Sequence, residues 1–319
     1  MLRASSPHLH TQTTETEERQ TEFPPEDQHS LKPVDGAQNS TEPSCPVCGR
    51  PTPQRFVYEK WSYPILKCVV CGLGRAQVDR PFDPGTFYRA GYFQGTMRDG
   101  YADYQGSEPV LRAEFRHVLR HLARCGVRSG NLLEVGCAYG FFLVEAQRTF
   151  RVCGIDVAED AVAFCRSRGL DVHCGEIDQS FLAARAPFDV VVMLDVIEHL
   201  KNPAEVLTAL RPYLSPGARL LITTGDWESL CGRIMGRSWR LMTPPQHLSF
   251  FSRRSLSLLL ERVGFHVLEC RYPWKRVPVG LLLFQMARIL GLSPQRTRLG
   301  DFGIPVNLHD AVRVVAVRK

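Results

Sequence analysis

Two cysteine pairs, CPVCG beginning at Cys45 and CVVCG beginning at Cys68, form a C-x2-C-x19-C-x2-C pattern. Cys45, Cys48, Cys68 and Cys71 can supply four thiolates at tetrahedral geometry, and Gly49 and Gly72 relieve the tight turns of such knuckles. The spacing predicts a structural Zn2+ site, because four protein ligands leave no coordination position open for chemistry. A knuckle this small has little core, so the metal would contribute much of its folding energy. A second pattern lies in LLEVGCAYG, where Glu134, Gly136 and Gly140 give E-x-G-x-x-x-G running from a strand into a helix. The two glycines let the backbone approach a ligand at the carboxyl end of a sheet. Asp156, twenty residues beyond Gly136, ends the next strand and is placed to accept from both hydroxyls of a ribose. The dinucleotide fingerprint G-x-G-x-x-G is not met, since position 138 is Ala and position 141 is Phe, which disfavours nicotinamide chemistry.

The elements that must position these groups follow from periodicity. Between the cysteine pairs, Arg55 to Tyr58 and Tyr63 to Lys67 read as the short strands of a ribbon. Leu111, Phe115, Val118, Leu119 and Leu122 recur at helical spacing. Strands are expected at Asn131–Val135, Arg151–Asp156, Val172–Cys174, Phe188–Leu194 and Arg219–Thr224, with helices near 139–149, 158–168, 203–213 and 253–263. Asn202 and Pro203 open one helix as N-cap and first-turn proline, and Gly264 closes another. A strand near Phe265–Arg271, an apolar helix near Val279–Leu290 and a last strand at Ala311–Arg318 complete the pattern. Such alternation predicts an α/β fold, a doubly wound Rossmann-like parallel sheet with a small N-terminal zinc ribbon. The domains expected are a disordered tail (1–44), the ribbon (45–75), a tyrosine-rich connector or lid (76–110) and the main domain (111–319).

These residues resemble a class I methyltransferase that uses S-adenosylmethionine, in the glycine turn, at Asp156, and in CGEID, FDVVVMLDVIEHL, PGARLLITT and TPPQHLSFFS. The resemblance covers nearly all of residues 131–319. The knuckle with its tyrosine-rich connector is similar to a bacterial branch that includes sugar C-methyltransferases. The resemblance implies that Glu134, Gly136, Cys137, Gly140, Asp156, Val157, Glu176, Ile177 and Leu194 surround the cofactor, with Asp195 near its methionine end. It places Glu176 against the adenine amino group. A base must then take the acceptor's proton, and two histidines compete: His199 in DVIEHL beside Glu198, and His247 in PPQHL after two prolines. The sugar C-methyltransferases carry a Glu-His pair at the second position. Here it is Gln246–His247, which weighs against C-methylation and against a strongly raised histidine pKa. Both histidines could instead pack or shape the loop, and Tyr92, Tyr101 and Tyr104 could be a lid or packing aromatics.

Among the 319 residues, 44% hydrophobic and 23% charged exclude a wholly disordered or fibrous chain. No apolar run approaches the ~18–20 residues of a membrane span, and no secretory signal opens the chain, so a cytoplasmic protein is expected. Eleven cysteines, an odd number, suit free thiols in a reducing compartment. The net charge of +6 divides into −5 on residues 1–44 and +11 on the rest. That excess is either a merely solvated surface or a complement to an anionic partner. The acceptor expected is a small or carrier-linked metabolite, with RNA methylation as the alternative and a non-catalytic cofactor-binding interaction protein as another. Arg233, Arg237, Arg240, Arg253 and Arg254 around Trp239 form a solvated basic face or grip a phosphorylated or carrier-bound acceptor, and the apolar helix is a core or homodimer element ahead of a membrane-surface or partner contact.

Overall fold

The computed structural model describes residues 44–78, 104–280, 283 and 302–319. The tail expected to be disordered, three of the four connector tyrosines (Tyr88, Tyr92, Tyr101) and most of the apolar helix expected at Val279–Leu290 lie outside the described residues.

The chain begins with β1 (Ser44–Cys45), β2 (Arg50–Pro51), β3 (Gln54–Lys60), β4 (Tyr63–Cys68) and β5 (Gly74–Ala76). Next come α1 (Glu108–Arg124), β6 (Gly130–Val135), α2 (Phe141–Ala146), β7 (Phe150–Asp156), α3 (Glu159–Ser167), β8 (Val172–Cys174), α4 (Gln179–Ala183) and β9 (Phe188–Leu194). The last part holds α5 (Pro203–Leu210), β10 (Leu214–Gly225), α6 (Leu230–Met235), β11 (Ser249–Phe250), α7 (Arg253–Arg262), β12 (Phe265–Arg271), β13 (Lys275–Pro278), β14 (Gly303–Val306) and β15 (Ala311–Arg318).

Seven strands form the main sheet in the order β12-β15-β10-β9-β6-β7-β8. The apolar runs of β6 (LLEV) and β9 (VVVM) are buried on both faces, as internal parallel strands must be. Alternation splits them: Leu133, Val135, Val191, Met193 and Ile222 join one apolar cluster, whereas Leu132, Val190, Val192 and Leu221 join the other. On the second face Val118 and Leu122 of α1 pack with Phe142, Leu143 and Val162. The sheet departs from the all-parallel expectation at one strand: β15 runs antiparallel to both β10 and β12. Period-2 patterning reports a strand but not its direction, so the sequence carried no sign of this reversal.

Local chemistry sets the helix ends. The Asn202 side chain accepts from Glu205 N–H with Pro203 following it, and Ser252 and Ser255 form a reciprocal capping box before α7. The N-terminal ribbon does not close on itself. Its sheet runs β11-β5-β4-β3, so one strand comes from far along the chain. Cys45, Val47, Cys68, Cys71 and Leu73 also belong to the same apolar cluster as Phe251, Leu256 and Leu260. Ribbon and main-domain residues thus share one apolar cluster.

Candidate functional site

In sheet order β6 lies between β9 and β7, and the chain winds outward from it in both directions, which makes its carboxyl end the topological switch point. A cavity of about 720 Å3 opens there. The turn after β6 is pinned from below: Gly136 and Cys137 donate their N–H groups to Ile155 O at 2.8 and 3.2 Å. Gly136 sits at φ +72°, and a Cβ there would lie 2.4 Å from Val196 Cγ2, so only glycine fits. Asp156 Oδ2 accepts from Ala138 N–H at 2.6 Å and Oδ1 from Ala158 N–H at 2.9 Å. Each oxygen keeps acceptor capacity for a hydroxyl donor. Burial raises the Asp156 pKa, against the opposing pull of those N–H groups. Glu134 is buried in the cavity wall with Oε2 lacking a hydrogen-bond partner, and burial holds its carboxyl well above the usual range. An orphaned acid aimed at a cavity fits a ligand that brings a cation or donor.

Cys137, Val157, Glu176, Ile177, Leu194 and Asp195 also line the cavity. Gly140 stands behind the wall at the start of α2, where a Cβ would meet Leu170 Cδ1 at 2.6 Å and Cys165 Sγ at 2.8 Å. Its role is to close the turn against α3. Tyr104 lines the cavity and stacks on Phe141 with ring centroids 5.5 Å apart.

The two candidate bases also line the cavity, and there they meet. The rings of His199 and His247 lie edge to face with centroids 4.6 Å apart. His199 Nδ1 is 2.9 Å from Gln246 O, and His247 Nδ1 is 2.7 Å from Leu241 O. A carbonyl can only accept, so each Nδ1 carries the proton, and in the neutral ring of His247 Nε2 is then the basic atom. Glu198 joins them: one donor atom from each of the three side chains lies within 4.8 Å of the others. Burial, and secondarily the charge of Asp195, pushes the Glu198 carboxyl up to about 8. Burial lowers both imidazoles, His247 strongly and with help from His199 beside it. At neutral pH the cluster therefore holds two neutral imidazoles and a largely protonated carboxyl.

Several wall residues escaped the sequence reading. Arg313, buried in β15, reaches Glu114 Oε1 on α1 and Thr223 Oγ1, each at 3.3 Å. An arginine inside the run AVRVVAVR and a glutamate on the apolar stripe of α1 were the available signals. Lys275 holds both carboxylate oxygens of Asp195 at 3.0 and 2.8 Å. The five arginines weighed as an acceptor grip or a solvated basic face do not gather at the cavity. Arg240 alone of the five lines the cavity, and it is committed to Asp310 at 2.9 and 3.0 Å. Arg253 and Arg254 donate to Cys270 O and Val70 O.

The four knuckle cysteines converge. Cys45 and Cys71 sulfurs are 3.5 Å apart and Cys48 and Cys68 sulfurs 3.8 Å, all four within 4.8 Å. Zn–S bonds of about 2.3 Å in a tetrahedron place sulfurs roughly 3.8 Å apart, so this donor set fits Zn2+.

A sheet of this order with a glycine turn and an acidic strand end at its switch point defines a class I S-adenosylmethionine-dependent methyltransferase. Residues 110–270 match the methyltransferase-domain family model, half of the chain, and the chain belongs to that family. It is 26% identical over 194 residues to the ubiquinone biosynthesis O-methyltransferase of Xylella fastidiosa (strain 9a5c), covering 55% of this chain and 79% of that one. Against the ubiquinone biosynthesis O-methyltransferase of Stutzerimonas stutzeri (strain A1501) it is 32% identical over 111 residues, covering 33% of this chain. It spans about half the length of that relative, 47%. Among solved structures, magnesium protoporphyrin IX methyltransferase from Synechocystis PCC 6803 with bound SAH aligns with a TM-score of 0.43 at 17% identity, covering 65% of this chain and 83% of that one.

Proposed function

We propose that this protein transfers the methyl group of S-adenosylmethionine to a hydroxyl oxygen of a small or carrier-linked acceptor, with His247 as the general base. The observation that carries the reading is the fixed tautomer of His247. Its Nδ1 proton is committed to Leu241 O, so Nε2 is the basic atom in the cavity wall. The names of the O-methyltransferase relatives support oxygen as the receiving atom. The cofactor supplies an electrophilic methyl on a sulfonium that leaves as a neutral thioether. Asp156 would receive the ribose hydroxyls, Glu134 the methionine ammonium, and Val157 and Ile177 would flank the adenine, with Glu176 at its amino group. His247 Nε2 would take the proton of the acceptor hydroxyl as that oxygen is methylated, becoming an imidazolium. His199, its own Nδ1 held by Gln246 O, is the nearest second base. Cavity residues that hold an acceptor oxygen within ~3–3.5 Å of the methyl would supply much of the acceleration. Proton removal adds roughly 100- to 10,000-fold. The four-cysteine knuckle would hold Zn2+ structurally.

Calorimetric titration with S-adenosylhomocysteine, followed by transfer of a labelled methyl group to hydroxyl-bearing acceptors, tests the proposal. Micromolar product binding together with label on oxygen supports it. Absence of binding, or label appearing on carbon or nitrogen, refutes it.

A further inference from the structure

The knuckle and the wall that carries His247 share backbone. Cys68 N–H donates to Leu73 O at 2.9 Å, which turns the second knuckle into β5. The free edge of β5 is taken by β11, with Ser249 opposite Arg75 and Phe250 opposite Gly74. One residue earlier, Ala76 N–H donates to Leu248 O at 3.1 Å, while Leu248 N–H donates to Glu198 O at 2.9 Å. Leu248, next to His247, is thus bonded on one side to the ribbon and on the other to the turn bearing Glu198 and His199.

Three further ties converge on the same segment. Trp227 Nε1 donates to Gly72 O at 3.2 Å, and its ring lies so close to Gly74 that a Cβ there would be 2.8 Å from it. Trp227 N–H in turn donates to Phe251 O at 3.1 Å. From α7, which begins just after β11, Arg262 donates to Val47 O at 2.7 Å and Pro46 O at 2.5 Å. Arg254 donates to Val70 O at 3.1 Å. Carbonyls of both knuckle turns are therefore gripped by the helix that follows the His247 segment. The cofactor end is fastened elsewhere, by Ile155 O under the glycine turn and by the N–H groups around Asp156.

Resting on the methyl-transfer reading, we propose that the four-cysteine knuckle is a positioning device for Thr243–Phe250, so that metal occupancy sets the placement of His247 while the cofactor end stays as it is. With the four sulfurs bound to one ion, the two turns become one rigid block, and β5 presents a fixed edge to β11. Without the ion the thiols have only weak S–H contacts to hold them together, and that edge can shift.

The test compares the full chain loaded with Zn2+ and the same protein after chelation. Cys48→Ser removes one ligand, and Cys48→His replaces it with another that zinc accepts. Hydrogen exchange of the Ala76 and Leu248 amides, 15N spectra of the His247 ring and S-adenosylhomocysteine titration are read on each form. Stripping should speed exchange at those two amides on the order of tenfold or more and release His247 from its single tautomer. Product affinity should stay within about threefold. Cys48→His with Zn2+ should match wild type, and Cys48→Ser should match the stripped protein. Unchanged exchange and ring signals after stripping would overturn the proposal. So would collapse of cofactor binding along with them, because the ion would then hold the whole fold. Failure of the zinc-loaded protein to bind the product would instead count against methyl transfer and leave the exchange result standing.

Discussion

Burying a carboxyl between two imidazoles and an aspartate decides where protons sit before any acceptor arrives. Glu198, pushed up to about 8 from the usual 4.5, binds its proton more tightly in the folded chain than in the unfolded one. Its contribution is fully present below pH 4.5 and is lost as pH rises through about 8. At ~1.4 kcal/mol per pKa unit the cost at alkaline pH is a few kcal/mol. Glu198→Gln should therefore equal wild type in melting temperature near pH 4 and surpass it progressively toward pH 9; scanning calorimetry across that range checks the sign. His247 is shifted the other way. Because burial keeps it neutral, it is ready as a base throughout neutral pH, and activity should fall only below its ordinary value of 6.5. His247→Gln should lower kcat by about 100-fold or more, abolish that acid limb and leave S-adenosylhomocysteine affinity unchanged. A pH–rate profile of both proteins, paired with calorimetry, reads all three. Asp156→Ala removes two backbone-anchored acceptor oxygens at the ribose position and should weaken cofactor binding by at least ~10-fold, about 1.4 kcal/mol, in the same titration.

Elements translate sequence into these geometries with uneven legibility. β7, β8, β9, β12 and β15 begin and end within a residue of the sequence reading, because β-branched apolar runs bounded by Gly, Asp and Pro leave few alternatives. The acidic end of β7 and the glycine turn after β6 were legible for the same reason. What escaped were features set by distant partners. The hairpin of β13 and β14 carries Lys275 to Asp195, but its strands, KRVP and GIPV, are too short for periodicity to mark. α4 has a clear cap in Asp178, whose side chain accepts from Phe181 N–H, yet only five helical residues follow. The neighbour that fixes His247 could not be read either. Gln246 in place of an acid suggested an unsupported imidazole, whereas the structure orients the ring with a backbone carbonyl six residues away. At the glycine turn the constraint is steric and sharp. Gly136→Ala forces a Cβ toward Val196 at φ +72°, so it should lose cofactor binding with a stability cost of about 1–3 kcal/mol. Pairing it with Val196→Ala, which vacates that space, should recover part of the binding, as titration of single and double variants would show.

At the scale of the molecule, the chain assembles one core from segments that the sequence presents as separate. Knuckle residues Val47 and Leu73 belong to the same apolar cluster as Phe251, Leu256 and Leu260, and β11 completes the ribbon's sheet. Removing the ion and removing the ribbon are therefore different perturbations. Chelation leaves Val47, Ile65 and Leu73 in the chain. Deleting residues 1–78 takes them away, strips β11 of its partner and leaves Arg254 and Arg262 without the carbonyls they bond. Each large apolar side chain returned to water costs roughly 1.5–3 kcal/mol, and a handful of them rivals the ~5–15 kcal/mol by which a domain is stable at all. The truncated protein should then aggregate or fail to bind S-adenosylhomocysteine, although the glycine turn, Asp156 and Glu134 are all retained. In the intact zinc-loaded protein, urea should unfold ribbon and sheet together, with tryptophan fluorescence and far-ultraviolet dichroism tracing coincident curves. A monomeric truncated chain that binds the product at wild-type strength, or two separated transitions in urea, would show the ribbon to be an appended module, and the sharing of core residues would then have no energetic weight.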